Sequence, residues 1–128
     1  MLKLYNPTTM APSAAHYSQG VEVPPGARML YIAGQVGVTP DGAMLDGFAA
    51  QAEQAWNNVL TVLEAASMGV EDLVHVNIYY LDKGEVATVR ATRDRFLGDH
   101  KPSSTFAVVG ALAQPEWLYE MDAVAAKA

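Results

Sequence analysis

Apolar side chains recur every three or four residues between positions 48 and 68, which places them along one side of a helix. They are Phe48, Ala52, Ala55, Trp56, Val59, Val62, Leu63 and Ala66. Gly69 follows them and is predicted to end the helix in the left-handed conformation. A second amphipathic helix is predicted from about Gly84 to Leu97, with Asp82 as its cap and Gly98 as its stop.

Residues rich in β-branched and aromatic side chains predict strands at 28–38, 73–81, 104–109 and 117–126, with shorter strands near 2–5 and 17–23. In the strand at 28–38 both faces are apolar. One face carries Leu30, Ile32, Val36 and Val38, and the other carries Met29, Tyr31 and Ala33. Because two helices cover only one side of a sheet, the opposite face is expected to need another subunit.

The order of these elements predicts an α+β layer, with two helices on one side of a mixed sheet. The length fits a single domain over residues 1–128. Hydrophobic residues make up 51% of the chain and charged residues only 17%, which favours self-association. In the strand at 73–81, His75, Asn77 and Tyr79 alternate with apolar residues, as in a wet subunit interface.

The charge balance disfavours a nucleic-acid partner. Fourteen acidic against eight basic side chains give a net charge of −6, and no stretch concentrates lysine or arginine into a stripe. The only basic cluster is Arg90, Arg93 and Arg95, interrupted by Asp94, and it is interpreted as a solvated helix face.

Metal, cofactor and membrane sites find no support in the sequence. The chain has no cysteine, and its histidines, His16, His75 and His100, lie too far apart for a metal-binding motif. We therefore expect no metal and no cofactor. The first residues lack the apolar run of a leader, and no stretch is long enough to span a bilayer, so a cytoplasmic protein without membrane partners is expected.

Two glycines lie inside the predicted strand at 28–38. Glycine weakens a strand through its backbone entropy and its missing side chain, so Gly34 and Gly37 indicate a β-bulge or the close approach of a ligand or a second backbone. The alternative is tight strand packing at both positions. The residues alone leave both interpretations open.

The ordered motifs of the chain resemble those of the Rid family, also called YjgF or reactive-intermediate deaminase proteins and often labelled endoribonuclease L-PSP. The resemblance covers nearly the whole chain, although no single motif is diagnostic. It rests on HYSQG at 16–20, YIAGQVG at 31–37, Asp41-Gly42, Gln51, Asn57-Asn58, Pro102 and YEMDAVA at 119–125. It implies a chorismate-mutase-like fold and a homotrimer with three clefts between neighbouring subunits.

An archetypal Rid protein hydrolyses 2-imino or enamino acids, which requires a cation for the substrate carboxylate, a positioned water and a group that moves protons. The resemblance implies that an arginine just after the strand's proline supplies the cation. Aligning that motif on Pro102 places Ser104 at the arginine position and Phe106 where the family has a cysteine. Loss of the bidentate clamp costs about 2–4 kcal/mol, roughly thirty- to a thousandfold in rate, unless another group replaces it.

Other family positions are retained. The resemblance implies that Tyr17 is the pocket tyrosine, that the Gly34 backbone faces the ligand, and that Glu120 holds the attacking water. Ala33 stands where the family has a small polar residue, which removes a hydrogen-bonding group. Taken alone, Glu120 would be an exposed strand carboxylate and Tyr17 an interface aromatic. The resemblance favours a catalytic Glu120, and Tyr17 can fill both roles.

Arg90 is the candidate replacement for the missing cation, because a typical family member carries asparagine near the cleft at this place. The alternative is a surface ion pair with Asp94 one turn along the helix, worth roughly a few tenths of a kcal/mol.

The leading hypothesis is a homotrimer that binds a small, carboxylate-bearing metabolite in its clefts, with the archetypal deaminase activity weak or lost. One alternative is an active imine or enamine deaminase of altered specificity. A second is an endoribonuclease, which the net charge and the absence of a histidine pair disfavour.

Overall fold

The computed structural model describes residues 1–128 and contains six strands and two α-helices. In chain order they are β1 (Lys3–Tyr5), β2 (Gly20–Glu22), β3 (Arg28–Gln35), α1 (Phe48–Ala65), β4 (Leu73–Tyr80), α2 (Val86–Leu97), β5 (Ser103–Val108) and β6 (Tyr119–Lys127). Every predicted element is present, with ends that differ by a few residues.

The main sheet is mixed, with strand order β3-β6-β4-β5. β4 and β5 are parallel and are connected through α2, whereas β6 runs antiparallel to both of its neighbours. β1 and β2 form a separate antiparallel pair, in which Lys3 lies opposite Glu22. The strand order leaves β3 and β5 as the two edges of the main sheet.

A single core fills the space between the helices and one face of this sheet. Its 17 buried hydrophobic residues include Trp56, Val59 and Leu63 of α1 and Ile78 and Met121 of the sheet. The other face of the sheet carries no helix, and there Met29 is 45% and Tyr31 74% exposed. No helix is both long and apolar enough to cross a membrane.

Helix α1 ends earlier than predicted, and a different residue ends it. Ser67, not Gly69, takes the left-handed conformation, with a φ of 57°, while Gly69 is extended. The Ser67 amide donates to the Glu64 carbonyl and the Met68 amide to the Leu63 carbonyl, both at 2.9 Å, as in a Schellman motif. These bonds satisfy the last carbonyls of the helix and offset the strain at Ser67.

The start and end of α2 follow the predicted signals. The Asp82 side chain accepts a 2.8 Å hydrogen bond from the Gly84 amide and caps a short 3-10 turn that leads into the helix. Gly98 ends the helix with a φ of 59°, and its amide donates to the Asp94 carbonyl.

Gly37 lies where the backbone of α1 meets the end of the β3 segment. A Cβ atom at Gly37 would stand 2.5 Å from the Cα of Gln51. The interpretation of close approach by a second backbone is therefore confirmed at this glycine. Asn58 strengthens the same contact, because its Nδ2 donates to the carbonyls of Val36 and Val38.

Candidate functional site

A β-bulge shapes the part of the sheet that contains Ala33 and Gly34. The register between β3 and β6 shifts after Ile32, which lies opposite Ala123, so that Gln35 lies opposite Met121. Gln35 therefore takes the place that Gly34 would hold in a regular ladder, and the predicted alternation stops at this point. The bulge inferred from Gly34 is confirmed.

The carboxylate of Glu120 lies directly against Gly34. A Cβ atom at Gly34 would collide with the end of the Glu120 side chain, so the missing side chain makes room for the carboxylate on the strand backbone. Glu120 lies on the helix-free face, because its neighbours Tyr119 and Met121 are buried in the core. Ala33 and Gly34 are exposed beside it.

Burial raises the pKa of Glu120, and the nearby charge of Asp122 raises it further. Neither ion pair of the chain, Arg93 with Asp94 or Arg95 with Glu53, includes Glu120. The carboxyl group therefore holds its proton to a higher pH than an ordinary glutamate. A carboxyl group whose pKa is raised by burial is a candidate for proton transfer.

The raised pKa predicts a pH-dependent difference between the wild type and Glu120→Gln. A carboxyl group whose pKa is higher in the folded chain stabilises the fold less as the pH rises from its ordinary value of 4.5 through the raised value. The wild type should therefore lose unfolding free energy relative to Glu120→Gln over this window. Thermal unfolding from about pH 4 to about pH 8, at one protein concentration, measures the effect. A difference that stays constant with pH would contradict it.

A chain of polar side chains crosses the same face. Ser103 Oγ lies 2.7 Å from His75 Nδ1, and His75 Nε2 donates to Asn77 Oδ1 at 2.9 Å. Asn77 Nδ2 in turn donates to Asp122 at 2.9 Å. This chain holds the Asp122 carboxylate beside Glu120. The polar residues that alternate along β4 therefore belong to one connected network. Burial raises the pKa of Tyr79 on the same strand, and the nearby charge of Asp122 raises it further.

Ser104 and Phe106 lie on the opposite face of the sheet from Glu120. In the parallel pairing of β4 with β5, Ser104 lies opposite Val76 and Phe106 opposite Ile78, and both partners are core residues. Ser104 Oγ is buried and has no hydrogen-bond partner. Phe106 is half-buried on the edge strand.

Arg90 lies over Phe106, with its guanidinium carbon 5.7 Å from the ring centroid. The alternative surface pair with Asp94 is wrong, because Asp94 is paired with Arg93 at 3.2 Å. The interpretation of the basic cluster as a solvated helix face is correct for Arg90 and Arg95, which are exposed. It is wrong for Arg93, which is 0% exposed. The physical reason is spacing: Arg93 comes one turn after buried Val89 and shares its side of the helix.

Arg93 is the residue that sequence reasoning missed. Its guanidinium carbon lies 5.5 Å from the centroid of the Phe106 ring, which it shares with Arg90. The signal was available in the sequence, since a helical position four residues after a core valine belongs to the buried stripe. The interruption of the basic cluster by Asp94 concealed it.

Tyr17 is half-buried in a loop that packs along the start of β5. The Ser18 amide donates to the Pro102 carbonyl at 3.1 Å, and the His16 ring lies 2.9 Å from the His100 carbonyl. These contacts fix the segment before Tyr17 and after it, so the tyrosine is held close to the edge strand.

One chain therefore keeps the predicted site residues in two groups. Glu120, Ala33 and Gly34 lie on the helix-free face at the β3–β6 pair, whereas Ser104, Phe106 and Arg90 lie on the helix side at β5. β6 and β5 are separated by β4, a distance of about 10 Å across the sheet. The fold does not bring the two groups together within one subunit.

Cavities within the single chain do not unite these groups either. One of about 490 Å³ lies beside β1 and the end of β6, and another of about 310 Å³ lies within the loop at 6–19. Neither is lined by any of the predicted site residues. No group of three histidine or acidic side chains is arranged to hold a metal ion.

Comparison with known proteins identifies the family. The family model described as Endoribonuclease L-PSP matches residues 8–127. The 2-iminobutanoate/2-iminopropanoate deaminase of Salmonella typhimurium is 37% identical over 95 residues, which cover 73% of this chain and 72% of that protein.

Solved structures share the fold. The crystal structure of YyfB from Yersinia pestis, a protein of unknown function of the conserved Rid family, matches with a TM-score of 0.87 and 32% identity over 97% of each chain. E. coli TdcF with bound serine matches with a TM-score of 0.74 and 26% identity over 98% of this chain and 100% of that chain. The predicted α+β, chorismate-mutase-like fold is confirmed, and the chain belongs to the Rid family, also called YjgF or endoribonuclease L-PSP.

Proposed function

We propose that this chain forms a homotrimer whose clefts between subunits bind a small, carboxylate-bearing metabolite, with 2-imino and enamino acid hydrolysis weak or lost. The observation that carries the proposal is the separation of the site residues onto opposite faces of the sheet. A second copy of the chain can bring the Glu120 face of one subunit to the β5 edge of another. The relatives' deaminase activity and the serine bound to E. coli TdcF support a small-molecule ligand.

Each of these residues has a distinct role in the proposed cleft. Glu120, beside the Gly34 backbone, holds water or a ligand proton, and Tyr17 packs against the ligand at the edge strand. The neighbouring subunit supplies Ser104 and Phe106 together with Tyr17, which the chain holds beside the start of β5. Ser104 offers a single neutral hydroxyl in place of a charged fork, and this supports binding without efficient orientation of an imine.

The exposed face of the sheet supports assembly. Met29 and Tyr31 expose large apolar surface beside the polar chain that ends at Asp122. A patch of this kind is normally covered by another molecule. We place the assembled protein in the cytoplasm, as expected from the sequence.

Ribonuclease activity, which the family description names, is not the function we propose. The net charge is −6, and the only basic cluster contains one buried arginine, Arg93, and one ion-paired arginine, Arg95. Too few exposed cations remain there to follow a phosphate backbone.

The assembly is expected to sediment at three times the 13.7 kDa mass of the chain. Analytical ultracentrifugation at micromolar concentration measures this, and a stable monomer would contradict the proposal. The same preparation is then titrated with 2-oxobutanoate, the product of 2-iminobutanoate hydrolysis, and with its neutral amide. We expect the trimer to bind the carboxylate more tightly. Ammonia release from enzymatically generated 2-iminobutanoate separates a binder from the alternative, an active deaminase.

A further inference from the structure

Arg93 is a buried cation with an unused hydrogen-bonding fork. Its Nε donates to the Asp94 carboxylate at 3.2 Å, but Nη1 and Nη2 are buried and have no partner. Leaving buried polar nitrogens unpaired destabilises the fold, and the cost is larger when the group is charged. Folded chains therefore retain such a group rarely, and each case calls for an explanation, among them a bound water, ion or ligand.

The side chains around Arg93 leave Nη1 and Nη2 without a hydrogen-bond acceptor. Phe106 presents its ring at 5.5 Å, and Arg90 covers the same ring from the exposed side. Ser104, two residues before Phe106 on the same strand face, has a buried hydroxyl without a partner. The positive charge of Arg93 also reaches Tyr119, where it opposes the rise in pKa that burial causes.

No carboxylate of the chain is placed to accept from the fork. Asp94 occupies Nε, and the remaining ion pair on this side of the molecule, Arg95 with Glu53, is self-contained and exposed. A guanidinium with two parallel N–H groups matches a planar carboxylate, which accepts both bonds. An anion with two acceptor oxygens would therefore satisfy both Nη1 and Nη2 of Arg93.

We propose that Arg93 is the carboxylate anchor of this protein, binding the acid group of a small ligand through Nη1 and Nη2 beside Phe106 and Ser104. This rests on the proposed function, because it names the residue that holds the carboxylate in the same cleft. In this proposal the ligand enters at the β5 edge, where Arg90 is exposed and Phe106 is half-buried, and it displaces side chains there because Nη1 and Nη2 are buried. The apolar part of the ligand packs on the Phe106 ring, so the anchor selects apolar carboxylates over amides and esters.

The experiment compares binding of 2-oxobutanoate and 2-oxobutanamide by the wild type, Arg93→Gln and Arg95→Gln, using calorimetry on the assembled proteins. The wild type should bind the acid at least tenfold more tightly than the amide. Arg93→Gln should lose this preference, with about thirtyfold weaker binding of the acid, since a charge-assisted fork is replaced by a neutral group. Arg95→Gln removes an equal charge from the same helix and should keep the preference.

Each other outcome overturns the inference, and the outcomes are distinguishable. If the wild type binds neither compound, the proposed function fails together with the anchor. If folded Arg93→Gln retains the preference, only the anchor fails. If the wild type shows no preference and Arg93→Gln dissociates into monomers, the partner of Arg93 is an acid of a neighbouring subunit.

A measurement on the wild type covers the case in which Arg93→Gln does not fold. The chain has four arginines, Arg28, Arg90, Arg93 and Arg95, and Arg93 alone is buried. Its guanidinium NMR signals should be protected from exchange and should shift when 2-oxobutanoate is added, but not when the amide is added. Unchanged signals at saturating acid would refute the anchor.

Discussion

Gly37→Ala lowers the free energy of unfolding by about 2–3 kcal/mol, and the melting temperature by roughly 10 °C. The added methyl group would stand 2.5 Å from the Cα and 2.7 Å from the Cβ of Gln51. Because the obstacle is helix backbone and not the end of a flexible side chain, α1 itself must move. That movement disturbs Gln51, whose side chain donates to the carbonyls of Leu45 and Glu116 and accepts from the Leu118 amide.

Gly110→Ala is the matched control, because a Cβ atom at Gly110 would contact nothing within 4 Å. Both variants make the same chemical change, so their difference isolates the contact with α1. Chemical denaturation at one protein concentration measures it. Equal stabilities of the two variants would show that the helix can shift at little cost.

Ser104→Arg combined with Arg93→Gln raises 2-iminobutanoate hydrolysis about thirty- to a thousandfold above Arg93→Gln alone. The pair of changes moves the guanidinium from the helix to the strand position at which the resemblance places the clamp, and the gain corresponds to about 2–4 kcal/mol of orientation. Ser104→Arg alone should gain less, since two guanidinium groups would then compete beside Phe106. Ammonia release from enzymatically generated imine gives the rates.

Adding Glu120→Gln to this double variant is the control. The gain should vanish while the assembly persists, because glutamine keeps the shape of the side chain but cannot exchange a proton. An assembled double variant that shows no gain would mean that Phe106 or Ala33 has also changed the cleft. A gain that survives Glu120→Gln would remove Glu120 from the mechanism.

The elements of this fold were predictable because they depend on local signals. Asp82 caps α2 and Gly98 ends it, and the alternation along β4 continues to Tyr80. The end of α1 was not predictable in the same way. Ser67 takes a conformation that glycine prefers, and it does so because backbone bonds to Glu64 and Leu63 hold it there.

The candidate site was predictable as a set of residues but not as an arrangement. Gly34 indicated the bulge. The position of the Glu120 carboxylate against Gly34, however, depends on the pairing of β3 with β6, which lie far apart in the chain. The face of the sheet on which Ser104 lies depends on the parallel register of β5 with β4, which no local pattern specifies. The charge of the basic cluster predicts a solvent-facing Arg93, whereas its spacing from Val89 places it on the buried side of α2.

The strand order has a consequence for how the chain acquires its structure. β6 follows every other element in the sequence, yet it lies between β3 and β4 and pairs with both. Arg28 meets Lys127 and Met29 meets Ala126, so the sheet is joined by contacts of very long sequence separation. During synthesis β3 emerges early and has no partner strand until β6 follows it, so its apolar edge stays open to other chains. We therefore expect the sheet to form late and cooperatively, with closure of that long loop limiting the folding rate.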